Sequence, residues 1–362
     1  MRAGIIVAGR RSGQMLLSAF MVLAGAGCTD SPWPTKNFHP SIANTLSLSS
    51  SYQGNGIALE GSLAYVSMAA IGSQSGTRSL MIVSLVKPAA PVLVSATSSG
   101  LASDMGGIVV SGSHAYVPYE SASGTNFQVW DVSDPRNPFV AGSTSISCPA
   151  GMSPFSSPAL YGHYVYVSCW KSEVTATGAF AILDVSNPAA PFVRGMVPVT
   201  AEYQPISFGV WGRNLYVAAT QGGSTSDYVL LYSIADPTSP QLLATVSIPH
   251  SPQWVAGEGT KALVPIYDGK ELQIVDFSRP SAPEESSVKL GTCRPISVTV
   301  YEGSLALAPC DPPGGVAEVS LEAGNGAYLG TALDGTVFNF LAVSGGYLYG
   351  VDMSGNLETV GE

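Results

Sequence analysis

The stretch Phe127-Gln-Val-Trp-Asp-Val-Ser-Asp-Pro135 returns later in the chain as Leu272-Gln-Ile-Val-Asp-Phe-Ser-Arg-Pro280, and looser copies end at Pro88, Pro188 and Pro237. Each copy opens on a short apolar run: Leu80 to Ser84, Phe127 to Asp131, Phe180 to Asp184, Val229 to Ser233, Leu272 to Asp276. A proline follows four residues after each run, and a second comes three residues later, at Pro91, Pro138, Pro191, Pro240 and Pro283. Proline gives no N–H to a ladder and fixes its own φ, so the pair ends one strand and launches an outer one.

Upstream of each copy lies a glycine turn between two apolar runs. The turn glycines are Gly61, Gly112, Gly162, Gly212, Gly259, Gly303 and Gly345, at steps of 51, 50, 50, 47, 44 and 42 residues. Runs such as Ile108-Val109-Val110 before the glycine and Ala115-Tyr116-Val117 after it read as a β-hairpin. Hairpin, third strand and proline-led outer strand make a four-stranded antiparallel unit, and this period suits one propeller blade. The expected fold is all-β, a seven-bladed β-propeller.

The last two units depart from the pattern. Val316 to Ser320 lacks the proline pair, and the chain stops at Glu362 just after a third strand, Leu357 to Val360. The last blade is one strand short, so residues 42 to 50 are expected to supply its outer strand and close the ring, which removes open sheet edges.

The wording of the Phe127 and Leu272 segments resembles the LVIVD-repeat family of bacterial β-propellers, over roughly residues 42 to 362. The resemblance implies the propeller fold and no single chemistry.

Charged residues make up 11 % of the chain, hydrophobic residues 46 %, and glycine and proline number 40 and 26. Intrinsic disorder is excluded by that hydrophobic content at regular strand spacing. Residues 1–27 carry Arg2, Arg10 and Arg11, no acid, and an apolar run from Met15 to Ala24. This reads as a signal peptide, since ten apolar residues are too few to span a bilayer. Arg10-Arg11 is not followed by the apolar residues of a twin-arginine signal, so general secretion is expected. Leu23-Ala-Gly-Ala-Gly-Cys28 is similar to a bacterial lipobox, with the leucine at an unusual place. It implies a lipid on Cys28 as the only membrane attachment and an outer-membrane lipoprotein of the cell envelope, with plain secretion as the alternative. Residues 28–41 then form a short tether to a propeller over residues 42–362. Without the three leader arginines the chain carries 12 basic and 25 acidic residues, net 12 − 25 = −13. That balance argues against nucleic-acid binding.

Cys148, Cys169, Cys293 and Cys310 allow three pairings. Cys169 and Cys310 each lie seven residues after a turn glycine, at the end of a second strand, while Cys148 and Cys293 lie 14 and 10 residues before the same glycines. The start of an antiparallel strand lies beside the end of its partner, which selects Cys148–Cys169 and Cys293–Cys310. A metal or redox site is the weaker reading, as there is no Cys-x-x-Cys.

Catalytic motifs are absent from the sequence: no phosphate-binding glycine loop, no Gly-x-Ser-x-Gly, no His-Glu-x-x-His and no EF-hand loop. His114 and His163 read as surface turn residues with no third ligand or carboxylate beside them. Asp131, Asp184 and Asp276 recur at one repeat position and read as turn caps rather than as a metal ring. Function is sought instead in the loops opposite the hairpin turns, where Tyr119 and Glu120, Trp170 and Lys171, Glu202 and Tyr203, Trp254, Tyr267 and Asp268, and Asp311 put aromatic rings beside charges. Their bland reading is that the rings cap the core. The expected function is a monomeric, non-catalytic scaffold without cofactor or metal, attached to the envelope and presenting one face to a protein or glycan. The alternative is an extracytoplasmic hydrolase or lyase with its site at the mouth of the central channel.

Overall fold

The computed structural model describes residues 40–361 except 71–77, 122–123, 150–151, 171–177, 200–202, 222–225, 250, 312, 323–324 and 334. The expected signal peptide, Cys28 and all but the end of the tether lie outside the described residues. The described chain folds into seven four-stranded antiparallel sheets. Blade 1 consists of Tyr52–Glu60, Leu63–Ala70, Ser79–Ser84 and Val92–Ser98, in that order from the axis outward. Blade 2 runs from Val109 to Thr144, blade 3 from Ser153 to Pro198, blade 4 from Tyr203 to Pro249, blade 5 from Ala256 to Lys289 and blade 6 from Thr299 to Ala332. This is the expected seven-bladed propeller.

Blade 7 contains Phe338–Ser344, Tyr347–Asp352 and Asn356–Gly361, and its outer place is taken by Ser41–Ser47 from the other end of the chain. Ser41 pairs with Gly361 and Ser47 with Asn356, and the Thr45 hydroxyl donates to the Glu358 carboxylate at 2.6 Å. The closing strand ends three residues before the expected limit at Ser50. Leu48 and Ser49 turn inward, their N–H groups both donating to the Gly355 carbonyl.

All seven turn glycines have φ between 58° and 67°, the left-handed region that a tight hairpin turn needs. Near the axis glycine serves another purpose. A Cβ on Gly107 would stand 2.7 Å from the Ser157 backbone, so the first strands of blades 2 and 3 converge only because it is absent.

The core is divided among the seams between blades. Trp130, Tyr65 and Val117 fill the seam of blades 1 and 2, Tyr166, Phe180 and Phe208 that of blades 3 and 4, and Tyr349, Met68 and Val83 the closing seam of blades 7 and 1. Apolar residues on both sides of a strand therefore find partners, which explains runs such as Leu-Met-Ile-Val in which every side chain is buried.

The recurrent aspartates cap turns. The Ser133 hydroxyl and N–H both donate to Asp131, holding its carboxyl below the usual range, and Ser186 and Ser278 donate their N–H groups to Asp184 and Asp276. One expectation is corrected here. His114 stands directly opposite Asp131 across the blade, and His163 adjoins Tyr164, which is paired with Asp184. Each histidine does have a carboxylate neighbour, because the third strand ends beside the start of the second.

The carboxylic acid of Glu318 is half-buried at a seam. Glu318 is in the third strand of blade 6, where Ala317 and Val319 face blade 5; it shares the opposite side with Val316, towards blade 7. Burial pushes its carboxyl up from 4.5 to about 7, because the charged form loses its water. Between those values the folded chain holds a proton that the unfolded chain releases, so this contribution to stability is complete below 4.5 and is lost as the pH rises through 7. Glu318→Gln is expected to abolish that loss and to raise stability by about 1–3 kcal/mol above neutrality. Urea midpoints of both proteins at acid and alkaline pH test this, and an identical pH dependence would refute it.

Candidate functional site

The first strands converge on a central channel whose mouth opens on the face opposite the hairpin turns. A cavity of about 510 Å³ occupies this mouth, and its walls come from all seven blades. Blade 1 contributes Gln53 and Asn55, blade 7 Asn339 and Phe340, and the strand entry of blade 5 Gln253 and Trp254, while Trp170 and Thr220 reach in from the ends of second strands. The indole of Trp254 and the ring of Phe340 lie 4.9 Å apart, tilted by 54°. Both also line a smaller chamber of about 190 Å³ further down the channel, so this pair forms its waist.

The polar lining is tied into the ring. Asn339 donates from Nδ2 to the Gly54 carbonyl at 3.0 Å, Asn55 donates to Met105 at 2.6 Å, and the Ser297 hydroxyl donates to the Asn339 carbonyl at 3.0 Å. These clasps link blades 6, 7, 1 and 2 and fix the direction in which the amide oxygens point. The described lining residues are amides, hydroxyls, indoles and apolar groups, with no ionisable side chain among them.

The structure brings only part of the expected face together. Trp170 and Trp254 both reach the mouth. Tyr119 does not: it is fully buried, its hydroxyl donating to Gln128 at 2.5 Å, and burial pushes its pKa up. It was expected in the loop leaving the second strand, but a bridge to Met105 continues the ladder through it and turns the ring into the seam. Glu120, the next residue, is exposed and held by a backbone bond to Asp104 at 2.9 Å. Tyr203 stacks against Tyr228 with ring centres 4.0 Å apart, and their hydrogen bond helps to push Tyr203 up to about 12. Tyr267 lies under the Arg294 guanidinium at 5.3 Å, Asp268 is exposed beside it, and the Asp311 N–H donates to the Arg294 carbonyl. Lys171 and Glu202 lie outside the described residues.

Sequence reasoning missed Gln53, Asn55, Asn339 and Phe340. The signal was present, since Asn55, Gly107, Ser157, Ile206, Trp254, Ile296 and Asn339 all stand five to seven residues before a turn glycine. That repeat position points at the axis.

The fold is similar to that of solved structures with low sequence identity. A putative 6-phosphogluconolactonase from Bacteroides uniformis matches at a TM-score of 0.62 with 14 % identity, over 80 % of this chain and 88 % of that one. Hydrazine synthase of Kuenenia stuttgartiensis gives 0.63 and 12 %, over 86 % and 96 %. A catalytically inactive virginiamycin B lyase from Staphylococcus aureus, solved with quinupristin, gives 0.62 and 8 %, over 90 % and 100 %. At these identities the likeness is one of fold alone. No curated protein matches the chain. The family model of the LVIVD repeat matches residues 102–145, 156–198 and 266–288, so this seven-bladed propeller carries LVIVD repeats.

Proposed function

We propose that the protein is a non-catalytic scaffold of the bacterial cell envelope whose channel mouth binds a neutral glycan. The observation that carries this reading is the lining: planar amides and hydroxyls interleaved with Trp170, Trp254 and Phe340, without a charge among the described residues. A sugar offers the same two chemistries, C–H faces that lie on aromatic rings and hydroxyls that both donate to and accept from amides. The cavity is of the size that binds small ligands or the end of a chain. A glycoside hydrolase at the same place would call for paired carboxylates, and none is among the described lining residues. Two disulfides fit an oxidising compartment outside the cytoplasm, and attachment through a lipid on Cys28 completes the reading.

Titration with neutral oligosaccharides, followed by calorimetry, tests it. Trp254→Ala is expected to weaken binding at least about tenfold, or 1.4 kcal/mol, while the melting transition is retained. Binding unchanged by Trp254→Ala and by Trp170→Ala, or cleavage of the oligosaccharide, would reject the reading.

A further inference from the structure

The opposite face, which carries the hairpin turns, has a different character. Val92, Phe139 and Phe192 are the first residues of the fourth strands of blades 1, 2 and 3, paired with Ser84, Asp131 and Asp184. They therefore stand in one register at one end of three consecutive blades. All three are exposed, as are Val86, Trp211 and Leu242 at the same end, by 41 % to 72 %. At blade 5 the same register holds Glu284, opposite Asp276, so the apolar arc ends there. Basic residues are interleaved with it: Lys87 follows Val86, Arg136 precedes Phe139 by three residues, and Arg194 and Arg213 lie two residues after Phe192 and Trp211. All four are exposed. Between blades 1 and 2 a groove of about 430 Å³, walled by Leu63, Val92, Leu93 and Pro135, has Arg136 in its lining. Asp131, Asp134, Asp184 and Asp236 are on this face too, with their carboxylates engaged by Ser133, Asn137, Ser186 and Thr238.

The chain also enters the propeller here. Ser41 pairs with Gly361, at the same end of blade 7 as the Gly345 turn, and the exposed Ile42 adjoins it. The described chain therefore begins at this face, on the blade next to the arc.

Resting on the envelope reading above, we infer that the hairpin-turn face of blades 1 to 4 is a membrane-contact surface, seated on the phospholipid bilayer that holds the N-terminal segment. Exposed aromatic and aliphatic side chains interleaved with arginine and lysine suit the boundary between headgroups and acyl chains, where the rings enter the apolar layer and the cations meet phosphate. The consequence is an orientation. With the hairpin face on the lipid, the channel mouth points away from the membrane and is open to ligand.

The test uses the full chain with Cys28→Ala, which removes the lipid attachment point, and vesicles of phosphatidylethanolamine and phosphatidylglycerol. Flotation with the vesicles is expected, with tryptophan emission quenched by bromine-labelled acyl chains. Adding Phe139→Ser, Phe192→Ser and Trp211→Ser is expected to lower partitioning at least about tenfold, since each ring removes apolar area from water, and to leave oligosaccharide binding intact. Vesicle binding that survives Trp254→Ala supports the surface whatever happens at the mouth. The inference is overturned if the Cys28→Ala chain stays with the solution, if the three serines leave its partitioning unchanged, or if they act only on self-association without lipid.

Discussion

A chain lacking residues 42–50 is expected to lose its cooperative unfolding transition. The Ser41–Ser47 strand is the outer strand of blade 7, paired in register with Asn356–Gly361, and Leu48 packs with Tyr349 and Val351 in the closing seam. Without it the ladder of Asn356–Gly361 faces solvent as an open edge, and the seam of blades 7 and 1 loses its N-terminal side. A ring differs from an open solenoid in this respect. Every blade has two neighbours, so one broken junction leaves two unsupported faces. The measurement is thermal unfolding followed by near-ultraviolet circular dichroism. A broad, sloping trace in place of a sigmoid is expected, with aggregation through the free edge. A transition unchanged in midpoint and steepness would show that the closing strand is dispensable.

The second large effect is expected from the disulfides. Cys148–Cys169 and Cys293–Cys310 form as the spacing required, with sequence separations of 21 and 17 and Cα atoms 5.5 and 5.0 Å apart. In the chain-entropy account a loop of this size restricts the unfolded state by about 3 kcal/mol, so removing both costs about 6 kcal/mol. That is comparable to the entire stability of many domains. Cys169 lies in the seam of blades 2 and 3, and Cys293 and Cys310 in that of blades 5 and 6. Sites so far apart without shared partners should act additively. Urea unfolding of the parent, of Cys148→Ala with Cys169→Ala, of Cys293→Ala with Cys310→Ala, and of all four substitutions together measures each contribution. Coincident midpoints for parent and quadruple variant would contradict the account.

Much of the fold was legible because the repeat writes it several times. The turn glycines, the proline pairs and the strands between them recur at one spacing, and the short final blade implied its own completion. Outer strands did not depend on that signal everywhere: blade 6 has one at Ala327–Ala332 although its proline pair is missing. There the pairing with Val316–Ser320 is enough to place the strand. The candidate site was legible only in part. Trp170 and Trp254 could be chosen because they lie in loops unlike their counterparts, whereas Asn55 and Asn339 sit inside regular strands and look like ordinary repeat positions. Tyr119 failed for the converse reason, since the ladder extends one bridge further than the apolar run and carries the ring inward.

By itself the amino-acid sequence determined what depends on local and periodic chemistry: where each hairpin turns, where proline stops a strand, which cysteines can meet, and that the number of strands leaves one place for the N-terminus. Only the tertiary structure decided what depends on distances between blades. Seven first strands had to meet at one axis before their amides, hydroxyls and rings became the wall of a single cavity. Likewise the fourth strands had to share one register before Val92, Phe139 and Phe192 became a surface. The physical reason is that a strand's spacing fixes which side a residue faces, whereas a site requires side chains about fifty residues apart to converge, and that convergence comes from closure of the ring.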